Sequence, residues 1–304
     1  MSNKVSIFGA SGMLGAAVLD VFAADGNNEL VATVREPELA QTLAARYPSV
    51  SVKVFNAESL DVDAIASILD GCRWAVNSIG VIKPYIHDNN PVETERATRV
   101  NSLFPHLLAK AADKTGTTVL QIATDCVYSG AKGDYTEKDS HDALDVYGKS
   151  KSLGEVPAPQ LRHLRCSIIG PEPKAHVSLL DWFLGQAQGA SVNGFTNHAW
   201  NGVTTIHFGR LALGVVKSSV ELPQVLHVVP SGKIVKSDLL KAFASAYGRS
   251  DITINPVAAG TVIDRTLATL NQEANLAVWA AAGYATPPTV EQMVDEMAAY
   301  RFSA

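Results

Sequence analysis

Thr124, Tyr147 and Lys151 are the residues of this 304-residue chain best suited to carbonyl chemistry. Tyr147 and Lys151 lie four apart in the run Tyr147-Gly-Lys-Ser-Lys151-Ser-Leu-Gly-Glu155. Positions i and i+4 share a helix face, so the ammonium is expected beside the phenol ring. A nearby cation favours phenolate and makes a group that normally titrates near ~10 a usable acid or base closer to neutrality. Tyr-x-x-x-Lys alone is a pattern that chance supplies often. It gains weight from a second feature near the N-terminus.

There the chain reads Val5-Ser-Ile-Phe-Gly9-Ala-Ser11-Gly12-Met13-Leu14-Gly15, an apolar run meeting a glycine-rich turn. Glycines at a strand-to-helix junction allow a tight turn, close backbone approach and close helix packing. The helix N-terminus then offers amide N–H groups to a pyrophosphate. The spacing Gly-x-x-Gly-x-x-Gly differs by one position from the commonest dinucleotide fingerprint. About twenty residues on, Arg35 suits a 2′-phosphate through its planar fork, so NADPH is expected. Glu36 directly after it pulls the other way and keeps NADH open, and a solvated turn charge competes for Arg35. Asn77-Ser78-Ile79-Gly80 follows another strand pattern, where small residues would let a cofactor lie against the backbone. An ordinary turn is the competing reading.

Elements in alternation must position these groups. Strands are expected at 4–8, 29–34, 50–55, 74–77, 118–123 and 161–168. Helices are expected from 16 to 24, at 57–69, near 92–115 and around 147–155. Strand and helix in alternation predict an α/β fold, a doubly wound parallel sheet of the Rossmann type. Gly9–Gly15, Asn77–Gly80 and Thr124 would then share the carboxyl edge where such sheets bind ligands. After about Gly170 the alternation weakens, and helices are expected at 177–188, 204–217 and 237–247. The expected division is a dinucleotide-binding domain over 1–170 carrying Tyr147 and Lys151. A smaller α/β substrate lobe would occupy 171–304 and return elements to the first domain.

The two features together resemble the extended short-chain dehydrogenase/reductases. The run Thr124-Asp-Cys-Val-Tyr-Ser-Gly…Tyr135-Thr-Glu-Lys-Asp…Val-Tyr147-Gly-Lys-Ser-Lys151-Ser-Leu-Gly-Glu is similar to the dTDP-4-dehydrorhamnose reductase group. The resemblance is dense at 5–15, 72–101, 121–170 and 200–206. It implies NADPH-dependent reduction of the 4-keto group of a nucleotide-linked deoxy sugar. Thr124 would hydrogen-bond the carbonyl, Tyr147 would protonate the developing alkoxide, and Lys151 would tune the phenol and bind the nicotinamide ribose. Asn101 matches a helix asparagine near the lysine. The resemblance also implies a polysaccharide or glycan-precursor pathway; the cysteine pattern and the lack of a leader or membrane-span pattern read as cytoplasmic, and a homodimer is one possible assembly.

Several residues have two readings. The residue after Thr124-Asp125 is Cys126, so the second carboxylate of a dehydratase is missing. Epimerase/reductases of the GDP-fucose synthase type carry a cysteine there and a histidine before a valine further on, as in His176-Val177. Cys126 and His176 could together shuttle protons beside a ketone. A buried small cysteine and a surface histidine form the alternative. Asn197, Trp200, Asn201 and Thr204 resemble a stretch lining the sugar-nucleotide pocket, with a core aromatic and a helix cap as alternatives. Arg165 would approach the diphosphate or support a strand end. Tyr135, Glu137 and Asp139 read as an ordered loop over the cleft. Ala143 and Asp145 depart from the proline and asparagine usual in the reductases, which puts the sugar in question.

Bulk properties narrow the classes. A hydrophobic content of 47% with 18% charged residues is ordinary for a globular enzyme. A net charge of −5 argues against nucleic-acid or anionic-membrane binding. Apolar runs fall short of a membrane span. Three widely spaced cysteines predict neither a disulfide framework nor a metal site. A dinucleotide-sensing, non-catalytic protein on the same fold is the competitor from another class.

Overall fold

The computed structural model describes residues 3–173 and 176–303. Six strands in the first half are β1 (Lys4–Phe8), β2 (Glu29–Val34), β3 (Val50–Val54), β4 (Trp74–Asn77), β5 (Thr118–Ala123) and β6 (Leu161–Arg165). They form one parallel sheet in the order β3-β2-β1-β4-β5-β6, and the strand Val225–His227 adds in parallel to the outer side of β6. The order reverses between β1 and β4, where open α/β sheets present a ligand crevice. The central strands β1, β2 and β4 bury nearly all of their residues because helices cover both faces. One face buries Phe8, Phe55 and Phe104, whose rings meet at 5.7–6.1 Å. The other packs α1 (Met13–Asp25) against the helix Thr205–Ser218, where Gly209 lets Val21 approach.

The remaining first-half helices are α2 (Pro37–Arg46), α3 (Val62–Leu69), α4 (Pro91–Ala97), α5 (Phe104–Thr115) and α6 (Val146–Leu153). The helix expected at 57–69 is broken. A short 3-10 turn, Ala57–Ser59, ends on Leu60 at φ 53°, and Asp61 then caps α3 by accepting from the Asp63 and Ala64 N–H groups. A capping aspartate restarts a helix more readily than it continues one. The helix expected near 92–115 is continuous only through a π-helical stretch, Thr98–Leu103, between α4 and α5. The strand expected at 161–168 stops at Arg165, and Ile168–Ile169 instead pairs with Val203–Thr204.

The second half builds a smaller layer. Ile234–Val235, His198–Trp200 and Ile263–Asp264 form a three-stranded sheet, and Ser191–Phe195 pairs in parallel with Thr253–Val257. The last described residues return to the first sheet's helices. Asp20 on α1 accepts hydrogen bonds from the Tyr47 and Tyr300 hydroxyls and the Ser303 N–H. Among the described residues no helix is long and apolar enough to cross a membrane.

Candidate active site

The glycine turn is a cradle that side chains would fill. Gly9 adopts φ +80°, and a Cβ there would sit 2.9 Å from Ile79 Cγ1. A Cβ on Gly15 would sit 2.1 Å from the Gly9 carbonyl oxygen. The Gly9 N–H donates to Thr33 Oγ1 at 3.1 Å, tying the turn to β2. Gly12 is the N-cap of α1 and supplies no side-chain cap, so the first N–H groups of the helix face outward beside Ser11. Met13 opens that helix, while Leu14 turns into the core. These features fit a dinucleotide pyrophosphate.

A groove of about 430 Å³ runs from this turn past Ser78, Ile79 and Gly80, with Arg35 and Glu36 at its far side. Asn77 shapes its floor, donating to Gln121 Oε1 at 2.7 Å and accepting from the Ile79 N–H at 3.1 Å. Arg35 forks onto Glu36 Oε1 through Nε and Nη2 at 2.9 and 2.7 Å. Arg96 on α4, paired with Glu58 at 3.0 Å, also lines the groove. The sequence carried no signal for that second pair, since 38 residues separate its members.

At the end of β5, Thr124 caps the turn Asp125–Val127 by accepting from the Cys126 N–H at 3.2 Å. Its hydroxyl donates to Asp125 Oδ1 at 3.3 Å and acts on the neighbouring Tyr147 phenol. The sequence led us to expect a phenol brought toward neutrality by Lys151. Burial instead raises it, Cys126 adds to the rise and the Thr124 hydroxyl opposes it. Tyr147 is therefore held as the protonated acid. Lys151 lies on the same face of α6 and donates to the Ile122 carbonyl at 3.2 Å. Burial pushes its ammonium down to about 8, against the pull of Glu155. Gly80 completes the junction with the groove, because a Cβ there would lie 3.4 Å from Asn101 Oδ1 and 4.0 Å from Lys151 Nζ. Asn101 is itself fixed, accepting from the Val81 N–H at 2.8 Å and donating to the Val81 carbonyl and Ser150 Oγ.

Asp125 is buried, which raises its carboxyl, with Arg265, Thr124 and Lys236 opposing. Sequence reasoning missed Lys236 and Arg265, which come from the far half of the chain. Burial, then Asp125, pushes the Cys126 thiol up to about 12. His176 stands elsewhere, at φ 51° with an exposed ring 3.5 Å from Asp181. No contact among the described residues joins His176 to Cys126.

Other expected substrate residues have occupations of their own. Arg165 is 2% exposed and spends its donors on Glu155, Tyr128, His227 and His141. Its position is that of a strand-end anchor rather than an open anion site. Asn197 donates to and accepts from the backbone of Ala259, and Asn201 does the same at Leu267. Trp200 is buried in the main apolar cluster with the Lys236 ammonium over its ring at 5.9 Å. Thr204 caps the helix Thr205–Ser218 through the His207 N–H. Asp145, at a position of departure, caps α6 through the Gly148 N–H at 2.7 Å and pairs with Lys83 at 2.7 Å. Tyr135 stacks on Tyr128 at 4.3 Å, while Glu137 accepts from the His227 and Leu270 N–H groups. Asp139 accepts from the Thr136 N–H and pairs with Lys132, so the loop is ordered.

Residues 3–169, more than half of the chain, match the family described as the RmlD substrate binding domain. The chain belongs to this family. It is similar to the dTDP-4-dehydrorhamnose reductase of Mycolicibacterium smegmatis, at 22% identity over 84% of this chain and 73% of that protein. It is also 26% identical to methionine adenosyltransferase 2 subunit beta of Mus musculus, over 51% of this chain and 42% of that one. The crystal structure of dTDP-4-dehydrorhamnose reductase from Bacillus anthracis in complex with NADP superposes with a TM-score of 0.71. That match covers 98% of this chain and 99% of the other at 16% identity, a shared fold.

Proposed function

We propose that this chain is a reductase that uses NADPH, with NADH accepted, to convert the 4-keto group of a nucleotide-activated deoxy sugar to an alcohol. The observation that carries the reading is the placement of Thr124 at the end of β5 and of Tyr147 and Lys151 on α6 beside the dinucleotide groove, where a Cβ on the groove residue Gly80 would lie 4.0 Å from Lys151 Nζ. The Thr124 and Tyr147 hydroxyls there form a seat for one carbonyl oxygen. The cofactor, when bound, supplies the hydride to the carbonyl carbon. Thr124 orients the oxygen, and Tyr147, kept protonated by burial, gives its proton to the developing alkoxide. Lys151 holds the ribose beside the ring and carries positive charge toward the reacting oxygen. Arg35 takes the 2′-phosphate by exchanging Glu36 for it, and the Gly9–Gly15 turn takes the pyrophosphate. The named relatives and the fold support a nucleotide sugar as substrate. The reading includes a cytoplasmic setting, supported by three free thiols, and a homodimer, supported by Leu103 and Leu153 left exposed on neighbouring helical elements.

The test is NADPH oxidation followed at about 340 nm, the reduced nicotinamide band, against nucleotide-linked 4-keto-6-deoxy sugars, with Tyr147→Phe alongside. Turnover that collapses in the variant supports the reading; NADPH binding without turnover on any sugar sinks it. A second reading, a dinucleotide-binding subunit of a larger enzyme, draws support from the likeness to an adenosyltransferase subunit. That reading predicts binding without turnover in both proteins.

A further inference from the structure

Two positions at which the chain departs from the reductase pattern, Ala143 and Asp145, stand directly before α6, and each makes a bond that the usual residue would not. The Ala143 N–H donates to the Val127 carbonyl at 3.1 Å, and a proline has no N–H to give. Asp145 caps the helix by accepting from the Gly148 N–H through Oδ1 at 2.7 Å, a task that asparagine performs as well. Its other oxygen, Oδ2, accepts from the Lys83 ammonium at 2.7 Å, and an uncharged amide would form no ion pair there. Lys83 belongs to the loop after β4. A carboxylate of that loop, Asp88, accepts from the Val146 N–H at 3.2 Å. The first and third N–H groups of α6 thus end on two carboxylates, one carried by the loop and one paired with it.

The same loop walls the dinucleotide groove, through Gly80, Val81 and Tyr85. Val81 and Ile86 form a small apolar cluster with Ala97 and Val100, and both Val146 and Tyr147 pack against it. The far end of the loop is fixed to α4, where Glu93 Oε2 accepts from the His87 N–H at 2.7 Å and Asn90 caps the helix. One short segment therefore carries the groove wall, part of the apolar cluster that Tyr147 packs on, and the charges at the start of the helix. We propose that Lys83 and Asp145 are positioning residues for Tyr147, their ion pair holding the start of the catalytic helix against the groove loop. The Lys83 side chain is 55% exposed and that of Asp145 25%, so the pair adds little to global stability. What it adds is direction, since the start of α6 cannot slide along the loop without separating the charges. The segment before the helix is thus tied on one side to the turn that Thr124 caps, through Ala143, and on the other to the groove loop.

The proposal rests on the reductase reading only in its kinetic arm. Amide hydrogen exchange of the full chain, read by mass spectrometry in peptides covering 143–150, needs no turnover. Exchange there should quicken about two- to fivefold in Lys83→Met and in Asp145→Asn, the range that an exposed ion pair is worth. Asparagine keeps the cap and Lys83 is no core residue, so both variants are expected to fold with the native melting temperature. The two residues act as one pair, so the double variant should exchange no faster than either single variant. Lys83→Arg keeps the charge and should exchange like the wild type. In the kinetic arm kcat falls by the same factor while the KM for NADPH stays, a split that damage to the groove wall alone would reverse. Unchanged exchange at 143–150 in either folded single variant overturns the pairing. Effects that add in the double variant overturn it too, since Lys83 would then act on something other than Asp145. Native kcat in variants whose exchange has quickened, with or without a raised KM, overturns the role given to the pair at Tyr147. Failure to turn over any sugar nucleotide would remove the reductase reading and leave the exchange arm to decide this one.

Discussion

Gly154 packs so tightly on Asn101 that a Cβ at 154 would lie 1.9 Å from the Asn101 carbonyl oxygen. That oxygen belongs to the π-helical stretch between α4 and α5, so neither side can yield cheaply. Gly154→Ala is expected to cost about 1–3 kcal/mol through forced backbone shifts, and to lower kcat by displacing Lys151. Thermal unfolding together with NADPH turnover checks both effects; wild-type values in each would contradict the packing argument.

Tyr147→Phe removes the proton donor while keeping the ring. Turnover should fall by roughly 10²–10⁴-fold, the range for losing a positioned acid. NADPH binding, followed by nicotinamide fluorescence, should stay near the wild-type value. A parallel loss of binding would mean that the phenol supports the fold rather than the chemistry.

Cofactor choice should respond to the pair at the groove's far side. Arg35→Ala removes the two-pronged donor and is expected to weaken NADPH roughly tenfold or more, with NADH little changed. Glu36→Gln frees Arg35 and should move the preference toward NADPH. The ratio of kcat/KM for the two cofactors measures this; a ratio indifferent to both variants would assign the 2′-position to Arg96.

Acid sensitivity follows from two histidines buried without charge. Burial pushes His207 and His227 down to about 4, with Arg165 adding to the fall at His227. An unfolded histidine titrates near ~6.5, so the unfolded chain binds these protons first as pH falls. The stability is therefore complete above about 6.5 and is lost progressively toward 4, by roughly 3 kcal/mol per histidine. Urea unfolding at pH 7 and pH 5 should show the decline, and His227→Gln should reduce its slope. A flat profile over that window would exclude both rings as the source.

The far end of the chain should matter to the first helix. Burial opposes the charge on Asp20, but hydrogen bonds from Tyr300, Tyr47 and Ser303 win and hold its carboxyl low. Tyr300→Phe removes a donor from this buried carboxylate and should cost about 1–3 kcal/mol. Chemical denaturation measures the loss, and limited proteolysis should show earlier cutting near 297–303.

The middle of the sheet could be read in advance because β1 and β4 are short, mostly apolar runs closed by a glycine or polar residue, and runs of that kind suit a parallel sheet covered on both faces. Gly9 was legible for a steric reason: a left-handed turn against Ile79 admits no Cβ. The break at Leu60 was not, because the capping strength of Asp61 competes with an otherwise helical pattern and sequence alone does not rank the two. Spacing cannot show how a side chain spends its donors. Arg165, Asn197 and Asn201 looked free for a ligand, yet each bonds to partners that fold only in three dimensions brings near. Lys236 and Arg265 were invisible for the same reason, lying more than a hundred residues from Asp125. The phenol of Tyr147 could not be judged by its neighbour four residues on, since burial is the largest influence on it and Cys126, Thr124 and Asp125 act beside it.

The strand Val225–His227 lies outside β6 although sixty residues separate them in the chain. A polypeptide ending near Gly170 would leave β6 as a bare edge and strip the helix Thr205–Ser218 from α1. An unpaired strand edge invites another chain to pair with it. The first half's sheet edge is therefore closed, and one face of its first helix covered, only by chain that is synthesised after it.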